Sequence, residues 1–386
     1  MKILWLTWKD GRNPAAGGAE LVNEELAKRL AKDGHKVIFL VAGFHGGEAE
    51  ETINGYKIIR LGNKWTVYWK AYRYYKKNLV GWADAVIDEV NTIPFFAKYY
   101  VKERNIVLCY QLCREIWFYQ MFFPLNLIGY LLEPIYMRLL NDRYVLTESE
   151  STKKDLQKFG FIKDRVFVFP IGIEAAPLAE KEFSIQKKSS DPVMLYFGSI
   201  RSMKRPEQAL KAFEIAKKDI RNLKFWIAGS GQGKFAENFF KQISKSKYSK
   251  DIVYFGKVSQ EKKLELMRDA HAIVVTSVKE GWGIIVTEAN SQGTPAVVYD
   301  VDGLRDSVKN NETGSISQRE RVGMRGALKN TSKNLAENIV KLMNDKEKYQ
   351  ELRQNAWKDS QKYNNQNSYE VFKNIIDNII KWEKQH

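Results

Sequence analysis

Glu280 and Glu288 stand eight positions apart in the run Lys279-Glu280-Gly281-Trp282-Gly283-Ile284-Ile285-Val286-Thr287-Glu288. Carboxylates accept hydrogen bonds from sugar and ribose hydroxyls. On one continuous helix this spacing would bring both acids nearly onto one face, just over two turns apart. The Gly281-Trp282-Gly283 interruption predicts something else: Glu280 on a loop and Glu288 in the first turns of the helix that follows. A helix start presents N–H groups without intrahelical partners and a partial positive charge, so it favours anions such as phosphate. Hydroxyl-binding acids beside a phosphate-binding helix start suit a ligand that carries both groups, such as a nucleotide sugar.

Three other loops could approach such a ligand. Asp10-Gly11-Arg12-Asn13-Pro14-Ala15-Ala16-Gly17-Gly18-Ala19-Glu20 joins an apolar run to an amphipathic one, and Gly17 and Gly18 let a phosphate or sugar come close to the backbone. Gly198-Ser199-Ile200-Arg201-Ser202-Met203-Lys204-Arg205-Pro206 carries three cations able to neutralise a diphosphate, arginine with its planar fork and lysine as a point charge. Ala228-Gly229-Ser230-Gly231 is a glycine-rich turn that can pass beneath a nucleotide. None of these is specific alone, because a strand-to-helix turn or a solvated basic loop reads the same way.

These loops need elements to position them. The chain has 386 residues, enough for two cores. Apolar strands alternate with helical stretches from end to end, which predicts parallel sheets wound on both sides by helices. The first series has strands at 2–7, 36–41, 85–87, 106–108, 144–146 and 166–170, with helices at 20–32 and at 152–159, the latter capped by Ser151. A polar stretch between Pro177 and Pro192 reads as a linker. The second series has strands at 194–197, 225–228, 252–255, 272–275 and 296–299. Segment 319–333 is basic and aperiodic and reads as a mobile loop. A last helix is expected at 369–382. Ligands of such sheets bind at the carboxyl ends of the strands, so the expected site is the cleft between two Rossmann-like domains.

Taken in order, the basic loop, the Ala-Gly-Ser-Gly turn, Phe255-Gly256-Lys257-Val258-Ser259, the two spaced glutamates, Gly293-Thr294-Pro295-Ala296-Val297, Asn311-Glu312-Thr313-Gly314 and the N-terminal Gly-Gly-Ala-Glu loop resemble the GT-B glycosyltransferases, specifically glycosyltransferase family 4. The similarity spans nearly the whole chain. It implies an acceptor-side domain over 1–172, a donor-binding domain over 173–365, and a C-terminal helix over 366–386 that returns to the first domain. It also implies a retaining, metal-independent transferase of the hexosyl type, with a nucleoside-diphosphate sugar as substrate and no cofactor. On that resemblance Glu280 contacts the donor sugar and Glu288 the ribose. The backbone at Gly283, Ile284 and Ile285 holds the diphosphate, Val258 lies by the base, and Gly198, Gly229, Gly231, Gly281 and Trp282 line the donor. Lys204 matches the family's phosphate lysine.

Two positions depart from the family. Ser199 replaces its usual arginine after the glycine, and Arg201 is the substitute at hand. Tyr110 stands where many members carry a histidine near the reacting sugar. Tyrosine can donate a hydrogen bond, but with an ordinary pKa near 10 it is a poor base at neutral pH. Both a catalytic role and a place in the pocket wall stay open for it. Gln111, Arg114 and Glu115 follow and are expected on the acceptor side. His35, His45, His271 and His386 fall at element ends or the terminus and read as structural. Asp300-Val301-Asp302 has the spacing of a metal motif from another transferase fold, but its place after a strand fits the donor loop better. Cys109 and Cys113 are too few for a disulfide framework and read as reduced.

The net charge of +16 attracts phosphorylated or anionic partners. No nucleic-acid-binding signature accompanies it, so nucleic acid is not expected. No acid occurs between Thr52 and Ala83, while Lys57, Arg60, Lys64, Lys70, Arg73, Lys76 and Lys77 do. Trp65, Tyr68, Trp69, Tyr72 and Tyr75 fall at helical spacing, predicting one aromatic face on a basic helix suited to an anionic membrane surface. The longest apolar run, 122–132, is too short to span a bilayer, and the N-terminus starts as a strand rather than a signal peptide. A cytoplasmic protein, peripheral on the inner membrane face, with a glycan or lipid-linked acceptor, is the expectation. Two rival readings remain: an epimerase of nucleotide sugars on the same fold, and a non-catalytic nucleotide-sugar or membrane-binding module.

Overall fold

The computed structural model describes residues 1–322, 327–329 and 331–382. These form two compact units. The first takes residues from Met1–Trp117, Phe123–Gly172 and the segment from Tyr363 onward; the second takes Phe118–Phe122 and Ile173–Lys362.

In the first unit the strands are β1 (Lys2–Leu6), β2 (Lys36–Val41), β3 (Glu50–Ile53), β4 (Tyr56–Arg60), β5 (Ala85–Glu89), β6 (Arg104–Leu108), β7 (Tyr144–Thr147) and β8 (Val166–Val168). They pair in the order β3-β4-β2-β1-β5-β6-β7-β8, and only the β3–β4 pair is antiparallel. The central strands read as unbroken apolar runs because both faces are covered; Ile3, Leu4, Trp5 and Leu6 are fully buried. The helix Gly18–Lys32 buries Val22, Leu26, Ala27 and Leu30 at helical spacing and ends where Gly34 adopts φ +81°. The helix Asn365–Trp382 packs on this same sheet. Its Phe372 stacks on Trp5 with ring centroids 5.7 Å apart and meets Phe169 edge-on at 5.4 Å, while Arg29 donates to Gln366 at 2.6 Å.

The second unit carries β9 (Val193–Phe197), β10 (Lys224–Ala228), β11 (Ile252–Tyr254), β12 (Ala272–Val275), β13 (Ala296–Tyr299) and β14 (Gly314–Ser317), all parallel, in the order β11-β10-β9-β12-β13-β14. Its core is aliphatic with a few aromatics, such as Phe213 stacked on Phe225 at 5.3 Å.

Several expectations need correction. β3, β4 and β14 were not anticipated: β3 is polar and largely exposed, and β4 lies inside the basic run. Arg60 is therefore no helix residue. It sits on β4 and forms a buried ion pair with Asp10 at 2.9 Å and with Glu51 at 3.0 Å. The helix Glu150–Lys158 is capped by Ser149, whose hydroxyl accepts from the Thr152 N–H at 3.2 Å, and not by Ser151. Segment 319–333 contains two short antiparallel strands, Glu320–Val322 and Ala327–Lys329. Its residues 323–326 and 330, and His386, lie outside the described residues. Among the described residues no helix is long and apolar enough to cross a membrane.

Candidate active site

In the second unit three glycine-bearing strand ends lie side by side. Gly198 follows β9, Gly229 follows β10 and Gly256 follows β11. The Gly198 N–H donates to the Ala228 carbonyl at 3.0 Å, and the Gly229 N–H donates to the Gly256 carbonyl at 2.8 Å. A Cβ on Gly229 would sit 2.0 Å from the Gly198 carbonyl oxygen, so no other residue fits there. A Cβ on Gly231 would likewise meet Ile200 at 2.7 Å. The loops thus lie flat across the carboxyl edge of the sheet, where ligands of such sheets bind.

From β12 the chain runs through Ser277 and Glu280 into Gly283. With φ +92°, Gly283 is the N-cap of the helix Ile284–Ser291, and no side chain caps that end. The first-turn N–H groups of Ile284 and Ile285 therefore have no carbonyl one turn back to bond. Trp282 is buried and donates its indole N–H to Thr287 at 2.9 Å, pinning the turn to the helix it precedes. The backbone carbonyl of Glu280 lies where a Cβ on Gly303 would be, so the loop after β13 packs tightly against this turn.

Each predicted acid is met by a cation. The Glu280 carboxylate accepts from Lys204 Nζ and from the Ser277 hydroxyl, both at 2.5 Å. Lys204 lies in the short turn Ser202–Lys204 and keeps 22% of its side chain exposed, against 14% for Glu280. Glu288 is buried in the helix and is ion-paired with Lys263 at 2.7 Å. Burial raises its pKa, and the Lys263 charge opposes that rise. Arg201 is exposed. The Tyr196 hydroxyl senses both sides of this site: burial and the Glu280 and Glu207 charges push its pKa up, and Arg201 pulls it down. Arg205 turns instead to Tyr119, donating to its hydroxyl at 3.0 Å. Val258 is half-buried against the core of this unit.

Lys263 was not singled out in the sequence. It sits in the helix Gln260–Asp269, whose N-cap Ser259 accepts from the Lys262 N–H at 3.2 Å. The Ser259 cap after Phe255-Gly256-Lys257-Val258 was the available signal. Asp300 and Asp302 are spent on cations: Asp300 on Arg305 at 2.7 Å and Arg319 at 3.3 Å, Asp302 on Lys279 at 2.9 Å. Among the described residues no group of three potential ligands could hold a metal ion.

The first unit holds the other predicted residues. Gly17 is the N-cap of the helix Gly18–Lys32, and its N–H donates to Glu20 Oε2 at 2.6 Å; Glu20 is in turn paired with Lys9 at 3.2 Å. This helix start is occupied by the chain's own acid. Tyr110 is 7% exposed, and its hydroxyl donates to Asn23 Oδ1 at 2.6 Å. Asn23 donates to Glu89 Oε2 at 2.7 Å, and the Trp5 indole N–H adds a bond at 3.3 Å. Burial and the Glu20 charge push the Glu89 carboxyl up to about 7. Burial, then Glu89, Glu148 and Glu20, push the Tyr110 hydroxyl up, so it is a donor rather than a base. Glu89 was missed in the sequence, because an acid ending an apolar strand gives no local sign of its partners. Among the residues expected on the acceptor side, Glu115 is exposed and Gln111 half-buried. Arg114 is wedged against Tyr130 at 4.1 Å and donates to the Tyr130 carbonyl at 3.0 Å.

Residues 179–359 match the model of the Glycosyl transferases group 1 family, and residues 16–176 match that of Glycosyltransferase Family 4. A D-inositol 3-phosphate glycosyltransferase of Nocardia farcinica is 24% identical over 183 residues, 45% of this chain and 41% of that protein. This chain thus spans less than half the length of that relative. The N-acetyl-alpha-D-glucosaminyl L-malate synthase of Bacillus anthracis is 23% identical over 378 residues, 89% of each chain. The solved structure of a sucrose-phosphate synthase from Thermosynechococcus elongatus has a TM-score of 0.76 at 16% identity, covering 98% of this chain and 99% of that one.

Proposed function

Because the chain belongs to the GT-B glycosyltransferases of the family 4 type, we propose that it moves a sugar from a nucleoside-diphosphate sugar to an acceptor hydroxyl, retaining the configuration at the anomeric carbon. The observation that carries this reading is the Lys204–Glu280 pair beside the uncapped start of the helix Ile284–Ser291. In the transfer the bond from the anomeric carbon to the phosphate oxygen breaks, and negative charge grows on the diphosphate. Lys204 and Arg201 stabilise that charge together with the N–H groups of Ile284 and Ile285, without a divalent cation. Glu280 accepts from the sugar hydroxyls and Glu288 from the ribose. Gly198, Gly229, Gly231 and Val258 lie under the nucleoside, and Gly281 and Trp282 hold the turn.

The first unit supplies the acceptor side. Gln111, Arg114 and Glu115 orient a glycan or lipid-linked hydroxyl together with Tyr110, whose single proton is given to Asn23 and whose oxygen is left to accept. Gly17 and Gly18 face sugar hydroxyls in preference to phosphate, because Glu20 already fills their helix start. The work is done on the cytoplasmic side.

The test is Glu280→Gln. Loss of transfer with an unchanged melting temperature, together with retained stabilisation by a nucleoside diphosphate, supports the assignment. Near-normal turnover in that variant sinks it. A panel of nucleoside diphosphates in the same melting assay names the base.

A further inference from the structure

The structure contradicts the expectation of one aromatic face on residues 65–75. In the helix Val67–Asn78 the buried stripe is Val67, Ala71 and Tyr75, and Tyr68 packs on Phe95 at 4.7 Å. Trp65 and Trp69 point the other way, 68% and 57% exposed, and Tyr72 is exposed beside them. Each carries a cation over its ring: Lys64 at 5.0 Å, Arg73 at 4.7 Å and Lys76 at 5.9 Å respectively. Lys70 and Lys77 are exposed on the same helix, which contains no acid.

A second helix of the same unit, Leu125–Leu139, has an outward face built from Leu125, Ile128, Leu131, Leu132, Ile135 and Leu139, all exposed. Its one acid, Glu133, points inward and accepts from the N–H groups of Cys113 and Arg114, both at 2.6 Å, and from the Trp117 indole at 3.1 Å. Gly129 makes room for the Trp117 ring, which a Cβ there would strike at 2.4 Å. The helix is thus fastened by its polar side to the segment bearing Arg114 and Glu115 and turns leucine and isoleucine side chains and Arg138 outward. The stretch 95–100 ties the two helices together. Tyr100 meets Tyr72 edge-on at 5.1 Å, Phe96 meets Tyr136 at 6.4 Å, and Lys98 donates to the Leu139 carbonyl at 2.7 Å.

We propose that the outward face of Leu125–Leu139 and the cation-bearing aromatics Trp65, Trp69 and Tyr72 form one docking surface for an anionic lipid bilayer. The aliphatic helix would lie in the acyl boundary, with the indoles at headgroup depth and the lysines and arginines against lipid phosphates. Charge complementarity favours this occupant over a second copy of the chain, whose own surface here would be equally basic and would repel it. The lipid would then sit against the helix that Glu133 fastens to the acceptor loop. This surface is independent of the donor reading and is tested without any nucleotide.

The test is flotation of the full chain with vesicles of phosphatidylcholine alone and of phosphatidylcholine with about one part in three phosphatidylglycerol. We expect binding to the anionic vesicles at low salt, with partition falling roughly fivefold for each basic residue removed, as in Arg73→Ala and Lys77→Ala. Raising the salt should weaken it further. Leu131→Asp with Ile135→Asp should abolish flotation at every salt concentration while the melting temperature holds. These positions are exposed, so folding is not at stake. The proposal is overturned if the wild-type chain stays unbound with both vesicles. It is equally overturned if it forms a concentration-dependent dimer that the Leu131→Asp, Ile135→Asp variant loses, because a second copy is then the occupant.

Discussion

One acid at the carboxyl end of the first sheet is held in the opposite way to two acids of the second. In the first unit Glu89 ends β5 fully buried, held by the neutral donors Trp5 and Asn23, and it keeps its proton up to about pH 7. In the second unit Glu280 and Glu288 are each met by a lysine. Both helix starts carry a glycine at the N-cap and neither N-cap has a side-chain cap, yet the first turn after Gly17 carries Glu20 whereas the first turn after Gly283 carries no acid. The lesson is that a glycine turn before a helix does not make a phosphate site. What decides is whether the chain has already filled the helix start with its own charge.

The largest expected effect falls on the second unit. Lys204→Ala removes the cation from Glu280 and, on the proposed reading, from the developing diphosphate charge. Losing one such charge-stabilising contact costs on the order of 10²–10³ in kcat. Steady-state kinetics with saturating donor would show it. A loss confined to KM would instead mean that Lys204 only binds, and the contrast between the two sheet ends would weaken.

The next effect belongs to the first unit and concerns pH. Burial raises the Glu89 carboxyl from its ordinary value of 4.5 to about 7 in the folded state. Below pH 4.5 both states hold the proton and nothing is lost. As pH climbs from 4.5 towards 7 the unfolded chain sheds its proton first, so stability falls by about 3 kcal/mol over that window. Glu89→Gln keeps the acceptor for Asn23 and has no proton to lose. It should match the wild type at pH 5 and melt higher at pH 8. Parallel melting curves for the two proteins across that range would mean that Glu89 is charged and paired, as the acids of the second unit are.

Much of this contrast could be read from the sequence, and the unreadable part has a physical pattern. β2, β12 and β13 were placed to the residue because both their faces are buried and their apolar runs end at turns. β3 and β4 escaped because an edge hairpin with one wet face carries Glu50, Glu51 and Lys57, which look like loop. Glu280, Glu288 and Lys204 were identified by type and order, but the Lys204–Glu280 bond joins residues 76 apart, and no local spacing announces it. Lys263 and Glu89 were missed for that reason. Tyr75 and Tyr68 were given to the wrong face because period alone marks a stripe without saying which stripe meets the core.

Gly283→Ala comes next in size. A Cβ at φ +92° is strained and would also meet Leu304 at 2.8 Å. The cost is about 1–3 kcal/mol, a drop of roughly 2–10 °C in the melting temperature. Because the helix start itself shifts, nucleoside-diphosphate binding should fall with it. Retained affinity in a destabilised variant would separate the turn from the ligand.

The smallest effect tests the other helix start. Glu20→Gln keeps an oxygen for the Gly17 N–H but removes the negative charge from the first turn of the helix and from Lys9. The loss of a charge at a helix start is worth about 0.3–1 kcal/mol, so the melting temperature should fall by only a few degrees. If Glu20 merely caps its own helix, nucleoside-diphosphate affinity measured by calorimetry stays the same, as expected for a diphosphate held in the second unit. If affinity tightens instead, the Gly17–Gly18 turn takes a phosphate that Glu20 was repelling, and the two sheet ends differ in degree rather than in kind.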